Sequence, residues 1–190
     1  MTSERIKDEF GALVEVVAAL RSPNGCPWDR EQDHKSLRKY LIEESYEVID
    51  AIDHGSPAKI EEELGDVLLQ VLLHAQIAAE NGEYDIADVC ERIRKKLIRR
   101  HPHVFGEVEV SGVDDVLHNW EEIKSREPGR EQITSAIGGV PQSLPALMRA
   151  AEISKRAART GFEWPNMEGV IDKLHEETGE LEQAIESSDR

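Results

Sequence analysis

Four carboxylates stand where apolar side chains belong. Over residues 36 to 54, Leu37, Leu41, Val48 and Ile52 form one helical stripe, and Glu44 fills its missing step, three after Leu41 and four before Val48. Glu47 lies three residues further on and shares that face. The next helical pattern repeats the device, with Glu63 three after Ile60 and four before Val67, and Asp66 three beyond. Each of two helices thus brings an i,i+3 acidic pair to an apolar interface. Buried charges must be paired, neutralised or ligated, and a cation does this for all four at once. Oxygen-only ligation without His or Cys suits a hard ion, Mg²⁺ or Mn²⁺, held partly through water and completed by a substrate's phosphates. A single such glutamate reads as a surface residue or a partner of Lys or Arg; four in matching geometry point to a metal.

The second charge anomaly is basic. Arg92, Arg94, Lys95, Lys96, Arg99 and Arg100 fall within nine positions of a chain with 39 acidic residues, 23 basic ones and a formal charge of −16. That balance disfavours DNA, RNA and anionic lipid as partners. A small anion is compatible with it where a metal or a local basic cluster neutralises the charge. Lys96 and Arg100 are one turn apart and suit a polyphosphate clamp, guanidinium groups offering bidentate contacts. Arg92 and Arg94 read as a solvated helix end, where cations are favoured in any case.

The elements that must position these groups are all helical. Ile6, Phe10, Leu13, Val14, Val17 and Leu20 predict a first helix over 3 to 20. Ser22, Pro23, Asn24 and Gly25 then open a loop expected to run through Cys26, Pro27, Trp28 and Asp29 to Asp33. Ser36 is the expected N-cap of the second helix, which ends near Gly55. Ser56 and Pro57 start a third, carrying Ile60, Leu64, Val67, Leu68, Val71, Leu72, Ala75 and Ala78 to Asn81 and Gly82. A fourth is expected from about Ile86 to Arg99, stopping at His101 and Pro102, and a fifth carries Val113, Val116, Leu117, Trp120 and Ile123. No run alternates apolar and polar residues, so the expected class is all-α, an antiparallel helical bundle. The longest apolar stretch, Val67 to Ala79, is interrupted by Gln70, His74 and Gln76, which excludes a membrane span there. Residues 1 to 8 lack a secretory pattern, and Cys26 and Cys90 make no CxxC pair, so reduced thiols and a cytoplasmic location are expected.

Glu43, Glu44 and Glu47, then fifteen residues, then Glu63 and Asp66, resemble the EExxE…ExxD signature of the all-α nucleoside triphosphate pyrophosphohydrolases. Cys26 to Asp29, Leu64 to Gln70 and Lys96 to Gly106 are similar to the MazG branch, and the likeness covers nearly the whole chain. It implies Mg²⁺-dependent hydrolysis of nucleoside triphosphates to monophosphate and pyrophosphate by homodimers of helical bundles. On that resemblance Glu44, Glu47, Glu63 and Asp66 are metal ligands, and Glu43 orients or deprotonates the attacking water. Lys96, Arg100 and Arg99 hold the phosphates, while Trp120 and Lys124 match a position that reaches the nucleotide. Trp28 either stacks on the base or anchors its loop. Cys26, His34, His101 and His103 read as packing or ordinary polar residues.

Leu174 to Ile185 aligns with Leu41 to Ile52 at a constant offset of 133, with six identities in twelve. Glu177 thereby repeats Glu44, while the counterparts of Glu63 and Asp66 would fall at 196 and 199, past Arg190. The expected organisation is a MazG-like domain over 1–125, a Gly- and Pro-rich linker over 126–143, and an incomplete second copy over 144–190. Two other functions compete with the hydrolase. One is a lapsed nucleotide-binding or dimerisation module with a regulatory role. The other is a dinuclear oxidase or metal-storage bundle, which needs Glu-x-x-His pairs on facing helices; only Glu31 and His34 have that spacing, in an expected loop.

Overall fold

The computed structural model describes residues 2–127, 135 and 137–187, and these form helices joined by turns, with no strand among them. The all-α expectation holds. The chain divides into two compact units, residues 1–116 and 117–190. The expected linker at 126–143 lies in part, at 128–134 and 136, outside the described residues.

In the first unit α1 (Thr2–Arg21) leads to a short helix, α2 (Pro27–Glu31), inside the stretch expected to be loop. Pro27 at its first position supplies the fixed φ that starts a helix. α3 (Arg38–His54) and α4 (Pro57–Glu80) are joined only by Gly55 and Ser56. Gly55 is required there, because a Cβ would stand 2.4 Å from the Ala51 carbonyl oxygen. Ser56 caps α4 by accepting from the Lys59 N–H, and Gly82, at φ 72°, turns the chain out of α4. α5 (Ile86–Arg100) opens on a capping box of Asp85 and Asp88, and α6 (Pro102–Phe105) follows at once. Ser36 does not cap α3. Leu37 occupies that position, and the Asp33 carboxylate accepts the Lys35 and Ser36 N–H groups at 2.8 and 2.7 Å, so the turn is organised one residue earlier than expected.

The core joins Val17 of α1 and Leu37 to Leu72, Leu73 and Ile77 of α4, flanked by Phe10, Leu13, Val14, Tyr40, Leu68, Leu69 and Ile86. α3 runs antiparallel to α4: Glu44 approaches Asp66 while, eight residues further along α4, His74 meets His34. The expected stripes are only partly covered. Ile49, Ile52, Leu64 and Val71 are exposed, and Glu63 and Gln70 are buried in their place. α3 and α4 are apolar on more than one face, and periodicity does not tell which face a single chain covers.

α7 (Val113–Ser125) spans the boundary between the units, and α8 (Ala146–Ala158) and α9 (Met167–Glu186) belong to the second. There Arg156 bonds Glu152 at 2.7 Å and the Gly138 carbonyl at 2.6 Å. α9 carries the repeated sequence, yet its Leu174, Leu181 and Ile185 are exposed, unlike the half-buried Leu41 and Val48 of α3. Among the described residues no helix is long and apolar enough to cross a membrane.

Candidate active site

Carboxylate oxygens of Glu44, Glu63 and Asp66 converge within 4.8 Å of one another, one from α3 and two from α4. Their positions follow from the hairpin, since a two-residue connection forces the i,i+3 pairs of antiparallel neighbours to face one another. Glu63 is 3% exposed, a glutamate inside the seam. Glu47 is more exposed than its place in the stripe suggested, but its carboxyl still lies against that of Glu63. Glu43 is exposed beside the cluster.

The electrostatics are those of a crowded anion. Burial, then Asp66, Glu47, Glu43 and Glu63, push the Glu44 carboxyl above the ordinary glutamate range. Glu47 is pushed up too, by lost hydration and then by the charge of Glu63, with Lys59 opposing. Lys59 was not singled out from the sequence. Its Nζ stands 2.5 Å from Glu63 and 3.1 Å from Glu62, and both bonds hold its ammonium charged. The available signal was its i,i+4 spacing to Glu63. One ammonium does not offset four or five carboxylates, and an all-oxygen set drawn from two rigid helices fits a hard divalent cation.

Beyond the cluster α4 continues polar. Gln70, one turn past Asp66, is 6% exposed and its Oε1 has no hydrogen-bond partner among the described residues. One turn further, His74 meets His34, their Nδ1 atoms 2.8 Å apart and their rings within 7° of parallel. Burial first and His34 second hold the His74 imidazole below its usual value. Sequence reading took Gln70 and His74 only as interruptions of an apolar run. The signal was their four-residue steps from Asp66, which put all three on one face.

The loop carrying Trp28 is held by Arg21. Its almost buried guanidinium pairs with Glu80 at 2.8 Å and donates to the Gln32 carbonyl at 3.1 Å and to the Asp29 carbonyl. The same pairing keeps the Glu80 carboxyl below its ordinary value. Trp28 itself is 48% exposed, with its ring edge-on to Tyr40 at a centroid distance of 5.7 Å. It is anchored along one edge and open elsewhere.

Lys96 and Arg100 are half-buried on α5 and Arg99 is exposed. The main charges acting on Glu44 and Glu47 are the neighbouring carboxylates and Lys59, so in one chain the basic residues of α5 are not what neutralises the cluster. Trp120 and Lys124 are half-buried residues of the second unit, where Lys124 lies 3.4 Å from Glu121. Glu176 and Glu177 of the repeat are exposed and share Lys173, at 2.8 and 3.2 Å.

An all-α hairpin whose two helices pool carboxylates at a buried seam is a candidate site for a hard cation. The MazG nucleotide pyrophosphohydrolase domain matches residues 32–105, which enclose that hairpin and α5. The chain is 49% identical over 175 residues to the nucleoside triphosphate pyrophosphohydrolase/pyrophosphatase MazG of Thermotoga maritima, covering 92% of this chain and 67% of that protein. It is 44% identical over 175 residues to the nucleoside triphosphate pyrophosphohydrolase of Escherichia coli, covering 92% of this chain and 66% of that protein. A crystal structure of a mazG-related protein from Thermotoga maritima superposes with a TM-score of 0.52 at 28% identity, covering 61% of this chain and 99% of that one. The chain belongs to the MazG nucleotide pyrophosphohydrolase family, and it spans about two thirds of the length of the Thermotoga maritima and Escherichia coli pyrophosphohydrolases that it matches over 175 residues.

Proposed function

We propose that this protein hydrolyses nucleoside triphosphates to nucleoside monophosphate and pyrophosphate with Mg²⁺, Mn²⁺ being an alternative ion. The observation that carries the reading is the convergence of Glu44, Glu63 and Asp66 within 4.8 Å in a chain of this family. Glu44, Glu47, Glu63 and Asp66 hold the ion. When bound, it polarises the phosphoryl oxygens and lowers the pKa of a coordinated water. Glu43, exposed at the rim, would orient the attacking water and take its proton. The water oxygen bonds to the α-phosphorus, the bond from that phosphorus to the bridging oxygen breaks, and pyrophosphate leaves. Lys96, Arg99 and Arg100 offset its charge. Trp120 and Lys124 contact the nucleotide, and Trp28 offers an open aromatic face to a base. The working domain is assigned to 1–125, with 126–143 as linker and 144–190 as an incomplete second copy. A cytoplasmic location, where nucleoside triphosphates are made and used, belongs to the same reading.

The test is pyrophosphate release from a panel of ribo- and deoxyribonucleoside triphosphates with Mg²⁺, with Mn²⁺ and with chelator. Release that requires the ion is expected; a folded protein that releases none would overturn the assignment. A homodimer belongs to the reading as well. Ile42, Tyr46 and Ile49 of α3 and Leu64 of α4 leave about half of their surface exposed, a share that a second copy would cover. Light scattering is expected to give twice the 21.4 kDa chain mass, and a monomeric mass would contradict it.

A further inference from the structure

We infer that His34 and His74 share a proton and thereby position the segment bearing Trp28 against α4, a role that rests on the proposed function, in which Trp28 faces the base. The ring centres are 5.1 Å apart and the Nδ1 atoms 2.8 Å apart, so the remainder is one imidazole radius on each side. Both nitrogens therefore lie on the line between the ring centres. With planes within 7° of parallel, the rings are coplanar and meet edge to edge. This is the geometry of a straight N–H···N hydrogen bond. It is not that of a shared metal ion, because lone pairs aimed at one another do not converge on a third atom. One Nδ1 must carry the proton and the other must be bare, so the two imidazoles are held in opposite tautomers.

The pair joins two elements. His34 belongs to the turn before α3, while His74 is on α4, about 12 Å along the helix axis from Asp66. Around His34 the chain is knit into one block. Gln32 Nε2 donates to the Trp28 carbonyl at 3.0 Å, Ser36 Oγ donates to Gln32 Oε1 at 2.7 Å, and the Asp33 N–H donates to Ser36 Oγ at 3.0 Å. The five residues of α2 are too few to hold a helix in place by themselves. Arg21 ties the end of α2 to Glu80 at the far end of α4, and the imidazole pair supplies a second anchor on the same helix, nearer the carboxylates. Two anchors on one rigid helix fix rotation as well as position, so Trp28 stands at a set distance from Asp66. A nucleotide has to meet the base contact and the phosphate contacts at once, and holding both in place beforehand removes an ordering cost from binding.

Nitrogen NMR of the full chain labelled in its imidazoles reads the pair directly. Opposite tautomers are expected, and a bare Nδ1 on both rings would overturn the pairing. His34→Phe keeps a flat ring and removes the bond; it should raise KM for nucleoside triphosphate by about five- to tenfold and leave kcat unchanged. His34→Asn sets an amide donor or acceptor near the former Nδ1 and should restore the parental KM. His74→Phe should match His34→Phe, and the double variant should cost no more than either, since one bond is lost once. An unchanged KM in the folded Phe variants, additive losses, or an Asn variant as poor as the Phe variant overturns the role. If the parent releases no pyrophosphate, the hydrolase reading falls, and the positioning role is still read from fluorine NMR of fluorotryptophan-labelled protein, with Trp28 assigned through Trp28→Phe. One sharp Trp28 signal is expected in the parent and in His34→Asn, and a broadened or doubled one in His34→Phe. The same sharp signal in all three overturns the role.

Discussion

Glu44→Ala and Asp66→Ala should each lower metal-dependent pyrophosphate release by on the order of 10²- to 10³-fold or more, the usual scale for losing one preorganised electrostatic contact to a reacting centre. The reason lies in the geometry. Glu44 is the contribution of α3 to the convergence of oxygens within 4.8 Å, and without it that trio is reduced to the two carboxylates of α4. Two carboxylates three residues apart on a single helix do not surround a cation. Asp66 is the complementary loss on α4. Stability should move the other way, because each substitution removes a charge from a crowded anion. A variant that is inactive yet melts no lower than the parent in chelator separates a ligand role from a structural one. Retained turnover in either variant would remove that residue from the ion's ligands. Glu177→Ala, at the repeated position, is the internal control. Glu177 is exposed and its nearby cation is Lys173, from its own helix, so release should be unchanged.

The acidic site was legible in the sequence because it violates a pattern. A carboxylate at the missing step of an apolar stripe is visible without any fold, and two such violations joined by a tight turn already imply a shared site. What escaped was whatever depends on pairing across the chain. Arg21 looks like an ordinary helix-end cation until the fold sets it against Glu80 and the carbonyls of the Trp28 loop, 59 residues and about ten residues away respectively. Gln70 and His74 read as blemishes in the most apolar helix, and only the antiparallel register shows that His74 answers His34. Lys59 was hidden by its place in the first turn of α4, where a lysine beside glutamates reads as a solvated helix start. The partial covering of α3 and α4 had a different origin. Ile49 and Leu64 have the correct helical period and are still exposed, because amphipathic spacing records that a face will be covered but not by which chain.

The stabilities of the parent and Glu44→Gln should cross when Mg²⁺ is added. In chelator the variant is expected to melt higher at neutral pH, because the Glu44 carboxylate is held above its ordinary range by burial and by Asp66, Glu47, Glu43 and Glu63. A carboxyl with a raised folded value costs stability when ionised. That cost is fully present above the raised value and disappears as pH falls through it toward the ordinary value of 4.5, since there the folded form binds a proton that the unfolded chain does not. The gap between variant and parent in chelator should therefore close between neutral pH and about 4.5. Comparing the two proteins cancels the other titrations. The main ones are His74, whose lowered value removes stability as pH falls below 6.5, and Glu80, Glu91 and Glu152, whose lowered values remove it below 4.5. Saturating Mg²⁺ reverses the order, because an ion bound only by the folded form stabilises it by about 2.7 kcal/mol at a hundred times its dissociation constant. The parent, with its full ligand set, should gain several degrees in melting temperature and the variant little. The metal gain of the parent should itself shrink with acidity, as protons and the ion compete for the same oxygens. Equal metal stabilisation of both proteins would mean that Glu44 is not a ligand, and a pH-independent gap in chelator would mean that its carboxyl is not strained by its neighbours.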